Sequence, residues 1–418
     1  MSQLRLAHLG LILAAIGLNM APSIVGLGSV AQAEALRAAV GTPLQAAKEL
    51  MGKKKFAEAL AKVNEADRVG SKTADESFVI ERMRASAASG AGDNEAAAKS
   101  FETLINSYSG KLSPKDQAAY VQSLGSIYYR TKNYSKAIQW ITRYEKDGGT
   151  DPAMHSLLLQ AYSLTGNSGK AISELQANVQ ASEKAGRTPP EDQLLSLANF
   201  ASKQTDKTAY VGALEKLVAY YPTKDLWNNL VTRVQSKPGF SQRLLVEVYR
   251  LKLALGMLAK DNEYMEMALL TLQDGFAAEA KGVLEKGFQA GVLGAAGADV
   301  SRQKRLQDKA LKTLAENQAT LAKREAEATK SKEGNDLVNI GYDYATNGQI
   351  DKGISLIEQG IRYGNLKRPE DAKLHLGIAE ALAGHKAKAI QTFKTVQGKD
   401  GTADLARYWI LQLNHPMK

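Results

Sequence analysis

Residues 118–130, AAYVQSLGSIYYR, and residues 152–164, PAMHSLLLQAYSL, are one pattern written twice. Leu124, Tyr128 and Ala137 recur as Leu158, Tyr162 and Ala171, each shifted by 34 positions. Within a copy, Val121, Leu124, Gly125 and Tyr128 fall at helical spacing. A break at Thr131–Tyr134 follows, and then a second helical run carries Ala137, Ile138 and Ile141. A fixed period of this length with two helical runs per copy is the signature of a helix–turn–helix array. Each unit is too thin to bury its own apolar face and must lean on the next, so the core of such a chain is one continuous stack.

Working outward, the same slots recur. Ile340, Gly341, Tyr344, Gly348, Gly353 and Ile357 make one further unit, and Leu376, Gly377, Gly384, Ala389 and Phe393 the next. Looser copies lie at 43–66, with Ala47, Phe56 and Ala59, at 80–104, with Ala85, Gly92, Ala97 and Phe101, and at 264–288, with Ala268, Gly275, Ala280 and Leu284. Small residues such as Gly125 and Ala137 suit the points where two helices cross closely, and the large residues between them fill the grooves. Pro43, Pro114, Pro152, Pro189, Pro222, Pro238 and Pro369 all fall at the expected ends of units, where a missing N–H is tolerated.

These motifs resemble the tetratricopeptide repeat (TPR) family over most of residues 41–400. The resemblance implies an all-α fold, a right-handed α-solenoid of tandem helix–turn–helix repeats. The expected organisation is an N-terminal array over 34–222, a diverged helical pair over 223–260, a C-terminal array over 261–400 and a capping helix and tail over 401–418. Residues 301–330 read as a long charged helix with Leu306, Ala310, Leu314 and Leu321 on a narrow stripe, packed within the stack. In the run Ala403–Leu413, Tyr408 and Leu411 are expected to face the last repeat and Arg407 to face water.

Residues 1–33 read as a secretory leader. Arg5 supplies the positive start, an apolar stretch follows, and Ala31-Gln32-Ala33 places small residues before Glu34. Cleavage between Ala33 and Glu34 predicts a periplasmic or secreted protein. The alternative is a membrane-anchored assembly or export accessory factor that retains the leader. The chain of 418 residues carries a formal charge of +10, without a run of five or six basic residues, and no nucleic-acid motif accompanies it. With no cysteine, disulfides, thiolate metal sites and cysteine nucleophiles are excluded.

A search for chemistry yields no catalytic constellation, cofactor site or metal site. His155, His375, His385 and His415 show no i, i+4 pair, and His375 and His385 read as surface or packing residues. Gly166-Asn-Ser-Gly-Lys170 lacks the first glycine and the final Ser/Thr of a phosphate loop and joins two helices. The TPR resemblance implies instead that the first helix of each unit lines a concave groove. There Gln122, Ser126, Tyr129 and Arg130 share one face, with Gln160, Ser163 and Leu164 as their counterparts one unit on and Tyr342 in the unit near 335. The expected function is a non-enzymatic scaffold that grips a protein or peptide partner of the cell envelope, with Tyr129 and Arg130 as anchors.

Overall fold

The computed structural model describes residues 36–295 and 299–417; the segment 1–33, read as a leader, lies outside them. Twenty α-helices occur among the described residues, with no strand. The chain divides into two compact units, which meet between Glu174 and Leu175.

The first unit holds α1 (Ala38–Gly52), α2 (Phe56–Asp67), α3 (Ala74–Ala91), α4 (Asn94–Ser107), α5 (Pro114–Arg130), α6 (Tyr134–Lys146), α7 (Pro152–Leu164) and the start of α8 (Ser168–Lys184). The helices pair as α1–α2, α3–α4 and α5–α6, and each pair packs on the next. Local sequence sets the ends. Ser113 caps α5 by accepting from the Asp116 N–H, and Pro114 opens the helix; Asp151 and Pro152 do the same for α7. Pro43 departs from expectation. It lies inside α1, because that helix begins five residues earlier, at Ala38, than the proline suggested.

One turn recurs between paired helices. The N–H of Asn133 reaches back to the carbonyl of Tyr128, with Lys132 in the left-handed region between them. Asp93 to Ala88, Asn167 to Tyr162, Asp206 to Ala201, Phe276 to Thr271 and Gln349 to Tyr344 repeat it. This closure satisfies orphan carbonyls at the helix end and suits glycine, found at Gly92, Gly166, Gly275 and Gly348. The Gly166–Lys170 segment is therefore an inter-helix turn.

Packing within α5–α6 follows the small-and-large logic. Leu124, Ala137 and Ile141 are fully buried. A Cβ on Gly125 would stand 2.7 Å from Ile141 Cγ1 and 2.8 Å from Met154 Cε, so a larger residue requires those side chains to shift. Burying a leucine such as Leu124 contributes about 1.5–3 kcal/mol, which makes these contacts the main support of the stack.

The second unit continues α8 and adds α9 (Glu191–Lys203), α10 (Lys207–Tyr220), α11 (Lys224–Gln235), α12 (Leu245–Ala254), α13 (Asp261–Gln273), α14 (Ala277–Gln289), α15 (Val300–Ser331), α16 (Gly334–Thr346), α17 (Ile350–Tyr363), α18 (Pro369–Leu382), α19 (Lys386–Lys394) and α20 (Thr402–Asn414). Pairs form at α9–α10, α13–α14, α16–α17 and α18–α19. The α16–α17 pair is the closest. Cβ atoms on Gly334 and Gly360 would each stand 2.7 Å from the other residue's backbone oxygen, and one on Gly341 would meet the Gly353 oxygen at 2.7 Å. The long charged helix appears as α15, packed on α13, α14 and α16, with Leu306, Ala310 and Leu321 buried and Leu314 half-buried.

Two expectations need correction. The boundary at 222 falls inside the second unit, because α10 packs on α11 and on α20. The helix read as a solvated cap does not end a stack: α20 packs against α10, α12, α18 and α19. Tyr408 and Trp409 are buried, Trp409 stacks on Phe393 at 6.0 Å between centroids, and Leu411 is half-buried. Arg407 is exposed, as expected, and from that position also reaches Glu215 on α10 at 3.1 Å and Asp404 at 2.6 Å. Lys237 to Asp404, Arg243 to Asp371 and Asp400, and the Ser241 N–H to the Asp400 carbonyl add to this closure.

Candidate functional site

The expected groove residues of the first unit lie together across α5 and α7. Gln122 donates to Asp151 Oδ2 at 2.7 Å, the same side chain that caps α7 through Oδ1. Ser126 Oγ sits 3.5 Å from the Met154 sulfur. Tyr129 donates its hydroxyl to Gln160 Oε1 at 2.7 Å, and its ring stands edge-on to Tyr134 at 5.5 Å. Burial, and then the neighbouring Tyr134, pushes the Tyr129 phenol up, so it remains a protonated donor. Arg130 is exposed and donates to Asn94 Oδ1 at 2.7 Å.

This face is therefore preorganised. Tyr129 holds the Gln160 carbonyl, which fixes that side chain and leaves its amide NH2 as a donor not used by this contact. Ser163 is half-buried next to Leu164, which is 55% exposed. The combination offers a fixed amide, hydroxyls, an aromatic edge, a guanidinium and one apolar foothold. The sequence named these residues but not the partners that hold two of them, Asp151 for Gln122 and Asn94 for Arg130. Asp151 was findable as the residue before Pro152 at a helix start; Asn94 carries no comparable signal.

Tyr342 does not belong to such a face and is a correction to the expected set. It is fully buried in the second unit. His375 stacks on it at 4.4 Å between centroids, and Phe276 meets it edge-on at 4.9 Å. Beneath these rings lies a charged network. Arg250 grips Glu279 with two hydrogen bonds of 2.8 and 2.6 Å, contacts Glu247, and lies 4.8 Å from the Tyr342 ring centroid. His375 Nε2 stands 2.9 Å from Glu247 Oε1. Burial would raise the Glu247 carboxyl, but Arg250 and His375 outweigh it and hold the group down at about 2. Glu247, Arg250 and Tyr342 are buried, and the network ties α12, α14, α16 and α18 together.

One cluster of side chains able to ligate a metal occurs among the described residues: Glu145, His155 and Glu174, at the junction of α6, α7 and α8. No helix among the described residues is long and apolar enough to cross a membrane.

The fold and this face define a helical-repeat protein built from antiparallel pairs. The family model described as tetratricopeptide repeat matches residues 82–152 and 338–404, which supports the TPR reading in both units. No curated protein matches the chain. Among solved structures, the TPR domain of P58(IPK) is similar at 14% identity, covering 91% of this chain and 99% of that one, with a TM-score of 0.23. Yeast Tom70 is similar at 10% identity, covering 90% of this chain and 95% of that one, with a TM-score of 0.24. Scores this low add nothing to the description of the arrangement.

Proposed function

We propose that the protein is a non-enzymatic scaffold that holds a protein or peptide partner of the cell envelope on the α5–α7 face. The observation that carries the reading is the Tyr129–Gln160 lock beside the exposed Arg130 and Leu164. Arginine and tyrosine dominate interface hot spots, and a fixed side chain loses less entropy when a partner arrives. A segment with backbone or carboxylate oxygens to accept from Gln160 and Arg130, and one apolar side chain to cover Leu164, fits these groups. The reading of residues 1–33 as a leader supports export; N-terminal sequencing of the mature protein should return Glu34 first, and an intact leader would favour the anchored alternative.

The test is capture of a partner from envelope extracts, followed by titration of that partner in purified form. A folded variant carrying Tyr129→Ala with Arg130→Ala is expected to bind roughly 30-fold more weakly, the effect of one hot spot of about 2 kcal/mol. Undiminished binding by that variant would show that the face is not used.

A further inference from the structure

The junction of α6, α7 and α8 gathers side chains that the binding face does not use. His155, on α7, places Nδ1 2.9 Å from Glu145 Oε1 of α6 and 3.5 Å from Glu174 Oε1 of α8. One ligand atom from each of the three residues lies within 4.8 Å of the other two. The side chains are about a quarter to a third exposed, so they are held in place by packing while remaining open to solvent on one side.

Their charges do not balance. Among the described residues, neither carboxylate has a lysine or arginine at ion-pair distance, and one imidazole answers both. His155 Nε2 is buried without a hydrogen-bond partner, so the ring is oriented through Nδ1 alone, toward the two carboxylates. Two carboxylate oxygens and one imidazole nitrogen thus converge on a space that no lysine or arginine among the described residues enters.

The distances allow one. With ligands at about 2.1 Å, donor atoms around a tetrahedral zinc ion stand about 3.4 Å apart. The His155–Glu174 separation already has that value. The His155–Glu145 separation is that of a hydrogen bond, and drawing Glu145 back by about 0.5 Å gives it the same value; the Glu145 and Glu174 oxygens lie within 4.8 Å of each other, close enough for side-chain rotation to bring them onto one ion. We propose that Glu145, His155 and Glu174 form a three-ligand site for a zinc-class divalent cation, with a fourth position open to water. Imidazole among the ligands selects against magnesium and calcium, which take oxygen donors.

The test titrates zinc chloride into the EDTA-treated full chain by calorimetry near neutral pH, with magnesium chloride as the control. A single equivalent of zinc is expected to bind saturably and raise the Tm, with X-ray absorption showing one nitrogen and additional oxygen ligands, while magnesium gives no saturable heat. His155→Ala and the nearly isosteric Glu174→Gln, checked for helical content, should each weaken binding by at least the roughly 10–100-fold that loss of a supporting contact costs. Absence of saturable zinc binding overturns the proposal. So does equal binding by His155→Ala, which would place the ion on His375, His385 or His415.

Discussion

The residue that follows the crossing glycine is Ser126 in α5 and Tyr342 in α16, and the two have opposite fates. Ser126 is half-buried and touches only the Met154 sulfur of the next helix pair. Tyr342 lies at the same step of the repeat but is sealed between Phe276 of the α13–α14 turn and His375 of α18. The difference comes from connectivity. In the first unit, the hydrogen bonds between helices join segments no more than 39 residues apart. In the second, Arg250 meets His375 across 125 residues and Arg407 meets Glu215 across 192. A repeat position therefore has no fixed exposure. It is a face where the stack is one layer deep and a core where later helices fold over it.

The sharpest way to break this comparison is Arg250→Ala. It strands Glu247 and Glu279 in the interior and is expected to cost about 3–5 kcal/mol. Hydrogen exchange should accelerate across α12–α20 and leave α1–α6 unchanged; equal acceleration in both units would show that they unfold together. Next come the glycine crossings. Gly341→Ala sets a Cβ against backbone oxygen and nitrogen, neither of which can rotate away, and is expected to cost about 3 kcal/mol or more in denaturant titration. Gly125→Ala crowds the side chains of Ile141 and Met154, with the nearest backbone atom at an ordinary 3.6 Å, and should cost less, roughly 1–2 kcal/mol.

Acid should separate the units further. Glu247 is held at about 2 against an ordinary 4.5. A depressed carboxyl contributes stability that is complete above the unfolded value and is lost as pH falls through the folded one. The second unit is thus expected to lose Tm progressively between about pH 4.5 and pH 2, and Glu247→Gln should flatten that slope. The smallest effect is a gain. Lys132 holds φ at 62° in a turn where sister turns use glycine, and Lys132→Gly should stabilise the first unit by up to about 1 kcal/mol in the same titration.

The helix pairs were legible in the sequence because the packing rule is local. Leu124 and Ala137 recur as Leu158 and Ala171 at a fixed interval, and each occupies the buried slot its type requires. The α5–α7 face was legible for the same reason, since Gln122, Tyr129 and Arg130 occupy the steps that packing leaves open. The closure of the second unit was not. Lys237, Arg243 and Arg407 look like any solvated lysine or arginine, and their acidic partners lie far along the chain at no repeating interval. Tyr342 was misplaced because the groove rule assumes an uncovered first helix. The Glu145–His155–Glu174 cluster escaped notice because its members sit on three successive helices, where no short motif can announce them.

The closure of α20 onto α10 has a consequence for how the chain is made. A polypeptide leaving the ribosome delivers Glu215 and Arg250 well before His375 and Arg407 exist. The first unit can settle pair by pair as it emerges, but the second must keep its charged centre wet until the last helices arrive. A nascent or truncated chain lacking its final two dozen residues would leave α10 and α12 with bare apolar flanks, the kind of surface that chaperones recognise and proteases exploit.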